Sequence, residues 1–156
     1  MQANANNNVQ LTPVVEDQVS RIIAKEAAAS SWPWRSDQLL KSLEQGHHCL
    51  VCSLGNKVFG YCVLLDAVAA MEILNFVVFK EFQGRGLGTE MLRQIIKFSV
   101  KQGAEEMWLE VRESNHAAIA LYTAAGFQPG EVREKYYPLG GSQREAAIQM
   151  QRRIGA

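Results

Sequence analysis

The sequence has no surplus of either charge. Lys+Arg and Asp+Glu both count 16 and the formal net charge is zero. A large nucleic-acid-binding face is therefore not expected, because such faces cluster Lys and Arg against phosphates; a local acidic groove stays open. No apolar run approaches the roughly 20 residues needed to span a bilayer, so no membrane partner is expected. Cysteine is scarce. Cys49, Cys52 and Cys62 are odd in number and cannot all pair with one another, which points to a reducing compartment, the cytoplasm, rather than a disulfide-stapled secreted domain. Internal repeats and Gly/Ser linkers are missing too. A monomer or weak dimer is expected.

What remains is enough for one domain. The chain has 156 residues, 47% of them hydrophobic, so a sizeable core can be buried. The Asn-rich start lacks a basic stretch followed by an apolar one and is not a secretory signal. It predicts a disordered leader over residues 1–8 before a single domain over 9–156.

Periodicity supplies the elements. Thr12-Pro13 reads as an N-cap with Pro at the first helical position, followed by Val15, Val19, Ile22 and Ile23 at helical spacing to about Ala28. Trp32-Pro33-Trp34 breaks this helix. Ser36 caps a second, with Leu39, Leu40 and Leu43, stopped by Gly46. Residues 48–54 and 58–68 form a β-hairpin around Gly55-Asn56-Lys57, and 71–78 is a third antiparallel strand. A glycine-rich loop, Gln83-Gly84-Arg85-Gly86-Leu87-Gly88, leads into a helix burying Met91, Leu92, Ile95, Ile96 and Ser99, ended by Gly103. A strand over 106–111, a helix over 115–125 and late strands around 132–137 and 147–151 complete the chain. The fold class is α/β, with a mixed, mostly antiparallel sheet and helices on both faces.

Three segments carry candidate chemistry. The glycine loop lies between a strand and a helix, where unpaired N–H groups and the helix dipole favour an anion. It suits a pyrophosphate, or is an ordinary connection. A P-loop would need Lys-Ser or Lys-Thr after Gly88, where Thr89-Glu90 stands, and a dinucleotide fingerprint would need glycine at Thr89. On the 106–111 strand, alternation puts Met107, Leu109 and Val111 on one face and Trp108 and Glu110 on the other. A partly desolvated Glu110 suits general-base work; its plain alternative is an ion pair with Arg112, Arg133 or Arg144. Asn115 caps the following helix. Tyr122, seven residues on, either packs in the core or donates a phenolic proton to a leaving thiolate, the two groups having ordinary values of about 10 and 8.5.

These residues, taken in order, resemble a known family. Gln83-Gly84-Arg85-Gly86-Leu87-Gly88, Leu109-Glu110-Val111-Arg112 with Ser114-Asn115, Ala120-Leu121-Tyr122 and Gly126-Phe127 are similar to the GNAT superfamily of acetyltransferases. Order and spacing look most like the RimI branch, the ribosomal-protein-alanine N-acetyltransferases. Trp32-Pro33-Trp34 and Tyr136-Tyr137-Pro138 extend the likeness over nearly the whole chain.

The resemblance implies the GNAT (acyl-CoA N-acyltransferase) fold, with the sheet splayed near Val78 around acetyl-CoA as cosubstrate. It implies that Gly84, Arg85, Gly86, Leu87, Gly88 and Thr89 bind the pyrophosphate. Phe76, Val77 and Val78 would hold the pantetheine arm and offer a backbone N–H to the thioester oxygen, and Asn115 would contact the cofactor. Glu110 would be general base, Tyr122 general acid, and Trp34, Tyr136 and Tyr137 would bind the acceptor. The implied reaction is direct acetyl transfer to the N-terminal alanine of a small-subunit ribosomal protein or another peptide amine. For an Arg-rich acceptor, acidic residues such as Glu72, Glu131, Glu134 and Glu145 are expected to supply a complementary field. A lysine side chain or small-molecule amine as acceptor, and a coenzyme A-binding regulatory module without turnover, are the alternatives. Gly84 departs from the family by standing where a basic residue is usual, leaving Arg85 to carry the charge. Arg144-Glu145-Ala146 replaces Arg-Glu-Asp, and Arg35 replaces Ser.

No metal is expected. Cys49-Leu50-Val51-Cys52 beside His47 and His48 has a zinc-like spacing. Positions three apart on a strand point to opposite faces, however, so both thiols read as buried apolar groups. His116 opens a helix and reads as solvated.

Overall fold

A computed structural model describes residues 9–155, so the expected leader over 1–8 lies outside the described residues. The elements are β1 (Val9–Pro13), α1 (Val19–Ala29), α2 (Ser36–Glu44), β2 (His48–Leu54), β3 (Lys57–Ala67), β4 (Ala70–Val78), α3 (Leu87–Lys101), β5 (Glu106–Arg112), α4 (His116–Ala124), β6 (Gln128–Gly140) and β7 (Gln143–Arg153). One seven-stranded sheet runs in the order β1-β2-β3-β4-β5-β7-β6. Among the described residues, only β4 and β5 pair in parallel; every other ladder is antiparallel. This is the expected mixed, mostly antiparallel α/β fold.

Period-2 alternation sends side chains to two cores. On one face Leu50, Cys52, Met71 and Met107 pack with Met91, Leu92 and Ile95 of α3 and Tyr122 of α4. On the other, Cys49, Val51, Tyr61 and Val63 pack with Val19 and Ile22 of α1 and Leu39 of α2. Burying each large apolar side chain contributes about 1.5–3 kcal/mol. Cys49 and Cys52 thus face opposite cores, both free and buried, as strand geometry requires. Burial pushes the Cys49 thiol up to about 11, with the neighbouring Cys62 adding to it.

The first elements differ from the periodicity. Thr12 and Pro13 do not start a helix; they end β1, which pairs with β2 from Val9 opposite Leu54 to Pro13 opposite Leu50. Proline has no N–H to give a ladder and is tolerated at the edge of a sheet, where β1 lies. The helix begins instead at Val19 after a 3₁₀ turn over Glu16–Gln18. Ser36 is the first residue inside α2, not its cap. The start is fastened from within: Gln38 Oε1 accepts the Arg35 N–H at 2.8 Å. Val68 lies past the end of β3, fully exposed beside Ala69, whose φ is +56°. The last two strands are longer than expected. β6 is an edge strand with almost every residue exposed, so it carries no apolar alternation to read.

The element that positions a site is the parallel pair. β4 and β5 bond only from Ala70 opposite Glu106 to Ile73 opposite Leu109. Beyond that, β5 keeps its partner β7 through Arg112 and β4 keeps β3 through Val78. The two strands diverge, and the opening starts at Leu74, earlier than the expected splay near Val78. In the ladder with β3, Val63 pairs with Asn75 and Leu64 with Ile73, so Leu74 is an extra, unpaired residue on β4, and such bulges bend the strand that carries them.

Candidate active site

The opening is a groove of about 810 Å³ walled by Ile73 to Val78 on β4 and Leu109 to Arg112 on β5. Ligands bind where neighbouring strands part in open α/β sheets.

At one end of the groove is the glycine loop. Gly84 and Gly86 have φ of +78° and +77°, the left-handed region, and a Cβ on either would meet nothing within 4 Å. Gly86 caps α3 without any side-chain cap bond. The first helical bond runs from Glu90 N to Gly86 O at 3.3 Å, so the N–H groups of Leu87, Gly88 and Thr89 have no intrahelical partner. Leu87 itself is buried and offers only backbone. Gly88 lies against Val78 and Leu121. Arg85 is exposed, its guanidinium 5.7 Å from the Phe82 ring centre. Of the motif residues, Gln83 lines the groove, and its side-chain amide donates to Val78 O at 2.9 Å. The loop is thus tied to the end of β4, and the rest of it flanks the groove rather than forming its wall.

Phe76, Val77, Val78, Asn115 and Tyr122 all line the groove. Asn115 Oδ1 accepts the Ala118 N–H at 3.2 Å, the capping role. Tyr122 is 6% exposed, edge-on to Phe76 at 5.9 Å and tilted against Phe127 at 5.7 Å. Burial, with Cys62 adding to it, pushes its hydroxyl above the ordinary phenol range. Tyr122 therefore keeps its proton at neutral pH.

Glu110 lines the same groove. Its Oε1 lies 3.7 Å from Arg133 Nη2, beyond hydrogen-bond length, and its Oε2 is buried without a hydrogen-bond partner among the described residues. Of the three arginines weighed as partners, Arg112 goes to Glu145 and the Pro138 carbonyl, and Arg144 to the Tyr136 carbonyl. Burial first, then Glu110, pushes the Glu72 carboxyl up, against the pull of Arg133. Burial and the Glu110 charge also push Tyr137 up to about 12.

Across the groove, Trp34 and Tyr137 are wall residues. Tyr136 is not among them: it is 44% exposed, edge-on to Tyr137 and beneath Arg133 at 5.4 Å. Glu145 is a buried anchor rather than a free charge, accepting from Ser114 N, Ser114 Oγ and Arg112. Glu131 and Glu134 are exposed on β6.

Two groove residues, Glu26 and Asn75, carried no expectation, and Arg112 was weighed only as a partner of Glu110. Arg112 is held between the rings of Trp32 at 3.9 Å and Tyr137 at 4.5 Å, joining the two walls. Glu26 and Asn75 form a buried polar cluster with Tyr61. Glu26 had a visible signal: it lies four residues after Ile22, on the apolar face of α1, and is buried. Charged residues seldom occupy such positions without a partner or a task.

The acetyltransferase (GNAT) family matches residues 17–127. The [ribosomal protein bS18]-alanine N-acetyltransferase of Salmonella typhimurium is 30% identical over 123 residues, 79% of this chain and 83% of that one. The crystal structure of the ribosomal-protein-S18-alanine N-acetyltransferase from Escherichia coli superposes with a TM-score of 0.84 at 27% identity, covering 95% of each chain. A Bacillus subtilis acetyltransferase solved in complex with CoA shares the fold, with a TM-score of 0.75 at 18% identity over 94% of this chain and 98% of that one.

Proposed function

The chain belongs to the acetyltransferase (GNAT) family, and on that premise we propose that it transfers the acetyl group of acetyl-CoA directly to the N-terminal α-amine of a protein, a ribosomal protein beginning with alanine, in the cytoplasm. The observation that carries this reading is the groove where β4 and β5 part, with Glu110 and Tyr122 both on its wall.

The residues fit a thioester carrying a pyrophosphate. The start of α3 has donors without intrahelical partners, left-handed glycines and open space around them, the features of a phosphate cradle. Gly84, Arg85, Gly86, Leu87, Gly88 and Thr89 would hold the pyrophosphate, Phe76, Val77 and Val78 the pantetheine arm, and Asn115 would contact the cofactor. Bound there, acetyl-CoA supplies the activated acyl group.

The chain's own residues supply proton control. An α-amine has a pKa of about 7.7–8.0 and is mostly protonated at neutral pH. Glu110, with one oxygen buried and unpartnered, takes the proton directly or through water. The amine nitrogen then bonds to the acyl carbon as the carbon–sulfur bond breaks. Tyr122 gives its proton to the leaving sulfur and is restored by the second proton, which the nitrogen sheds as the amide forms. Burial raises the phenol, and it would raise a thiol bound beside it by the same desolvation. Trp34 and Tyr137 form the acceptor wall, with Tyr136 behind Tyr137. The carboxylates Glu110 and Glu72 favour a cationic acceptor.

The test is mass spectrometry of the protein with acetyl-CoA and a panel of acceptors. An Arg-rich peptide beginning with Ala is expected to outcompete free lysine and aminoglycosides. Faster acetylation of a small amine would move the assignment to that class, and cofactor binding without any transfer would make the chain a regulatory module.

A further inference from the structure

Glu26 is 1% exposed, and a carboxylate that deep is stable only when its lone pairs are met. Three donors from three parts of the chain meet them. Tyr61 on β3 donates its hydroxyl. Asn75 on β4 donates its side-chain Nδ2, at 3.1 and 3.3 Å to the two oxygens. The Trp34 backbone N–H, from the acceptor wall, donates at 3.1 Å. None of the three is a cation, so the cluster is held by directed hydrogen bonds.

These bonds fix the Asn75 amide. A carboxylate only accepts, so the end of Asn75 that faces Glu26 is the NH₂. The same Nδ2 donates to Tyr61 Oη at 2.8 Å, whose own proton goes to Glu26, closing a ring of three groups. Asn75 Oδ1 must then face the other way, and it accepts the Phe76 N–H at 3.0 Å. A flipped Asn75 would set its oxygen against two carboxylate oxygens and its NH₂ against an N–H.

We propose that Glu26 is a positioning residue for acyl transfer: through Asn75 it sets the Phe76 N–H, and through the Trp34 N–H it ties the acceptor wall to the same carboxylate. The inference rests on the function proposed above, in which this stretch of β4 meets the thioester. As the amine nitrogen bonds to the acyl carbon, the carbonyl π pair moves onto the acyl oxygen, which gains negative charge. A donor already fixed in place stabilises that charge without reorganisation. Asn75 Oδ1 orients the Phe76 N–H and shares it with the acyl oxygen, while Glu26 retains the Asn75 amide.

Kinetics and calorimetry on the full chain test this, with acetyl-CoA and an Arg-rich peptide beginning with Ala. The variants are Glu26→Gln, Asn75→Ala and their combination. Each single variant is expected to lose about tenfold in kcat, less than the 10²–10³ of removing a donor outright, with acetyl-CoA affinity unchanged. The double variant should be no slower in kcat than Asn75→Ala, because the effect of Glu26 on the Phe76 N–H runs through that residue, while loss of its Trp34 bond falls on the KM for the acceptor. Unchanged kcat in folded Glu26→Gln, or a double variant showing the product of both losses, overturns the proposal. If Glu26→Gln does not fold, Asn75→Ala decides alone: a fall in kcat at constant affinity supports the role and an unchanged kcat removes it. A native chain that acetylates no amine overturns the proposed function as well, whereas an active native chain with unaffected variants overturns only the role of Glu26.

Discussion

Glu110 and Arg133 face each other at 3.7 Å, close enough to interact by charge and too far apart for a hydrogen bond. The other oxygen of Glu110 is buried and unpartnered. The carboxylate is therefore held on the groove wall without being consumed by its cation, and its negative charge reaches Glu72 and Tyr137.

Glu72 should reveal that field as a pH dependence of stability. Burial and then Glu110 raise its carboxyl in the folded state, so the folded chain binds this proton more tightly than the unfolded one. Stability then rises as pH falls through the raised value toward the unfolded value of about 4.3. Glu72→Gln removes the contribution. It should be more stable than the parent at pH 7, with the gain vanishing below about pH 4. Urea unfolding from pH 4 to 8 checks this; a constant difference across that range would contradict it.

Gly86→Val should weaken acetyl-CoA binding strongly in a chain that still folds. A Cβ there meets nothing within 4 Å, but φ is +77°, and a β-branched residue in that region costs about 1–2 kcal/mol or more. The loop would leave its conformation, and the new side chain would stand in the path to the cradle. Calorimetry with unchanged affinity would dismiss the loop as an anion site.

Gly60→Ala should be destabilising by about 1–3 kcal/mol or more. A Cβ at Gly60 would lie 2.3 Å from the Val77 carbonyl oxygen, which is backbone and cannot rotate away. The shift would fall on the stretch of β4 that walls the groove, so acetyl-CoA affinity should drop with stability. Denaturant unfolding with an unchanged midpoint would show that the two strands tolerate separation.

Tyr122→Phe keeps the ring between Phe76 and Phe127 and removes the proton. It should fold and bind acetyl-CoA normally, yet lose on the order of 10²–10⁴-fold in turnover, with no rescue at high pH. Near-normal turnover at neutral pH would leave Tyr122 a packing residue.

Local pattern made much of this legible. The β2–β3 hairpin, α3 with its glycine start, the alternating face of β5 and the Asn115 cap all follow from spacing within one element. β1 was hidden because Thr12-Pro13 is equally good as a helix start; only its pairing with β2 makes it an edge strand. β6 was short in the sequence because both its faces are exposed. The parting of β4 and β5 depends on where a ladder between residues far apart in the chain stops, and no local signal carries that. Glu26 was readable as a carboxylate on an apolar helix face, but its partners Asn75 and Tyr61 lie on strands about 50 and 35 residues away and come together only in the fold.

The most direct measurement is the pH profile of turnover for Glu110→Gln, with saturating acetyl-CoA and an Arg-rich peptide beginning with Ala. The substitution keeps shape and removes the proposed base. Turnover near pH 7 should fall on the order of 10²–10⁴-fold and recover in part above about pH 8, where solution deprotonates the amine. Parent-like turnover by the folded variant at pH 7 would contradict the assignment of Glu110 as the base.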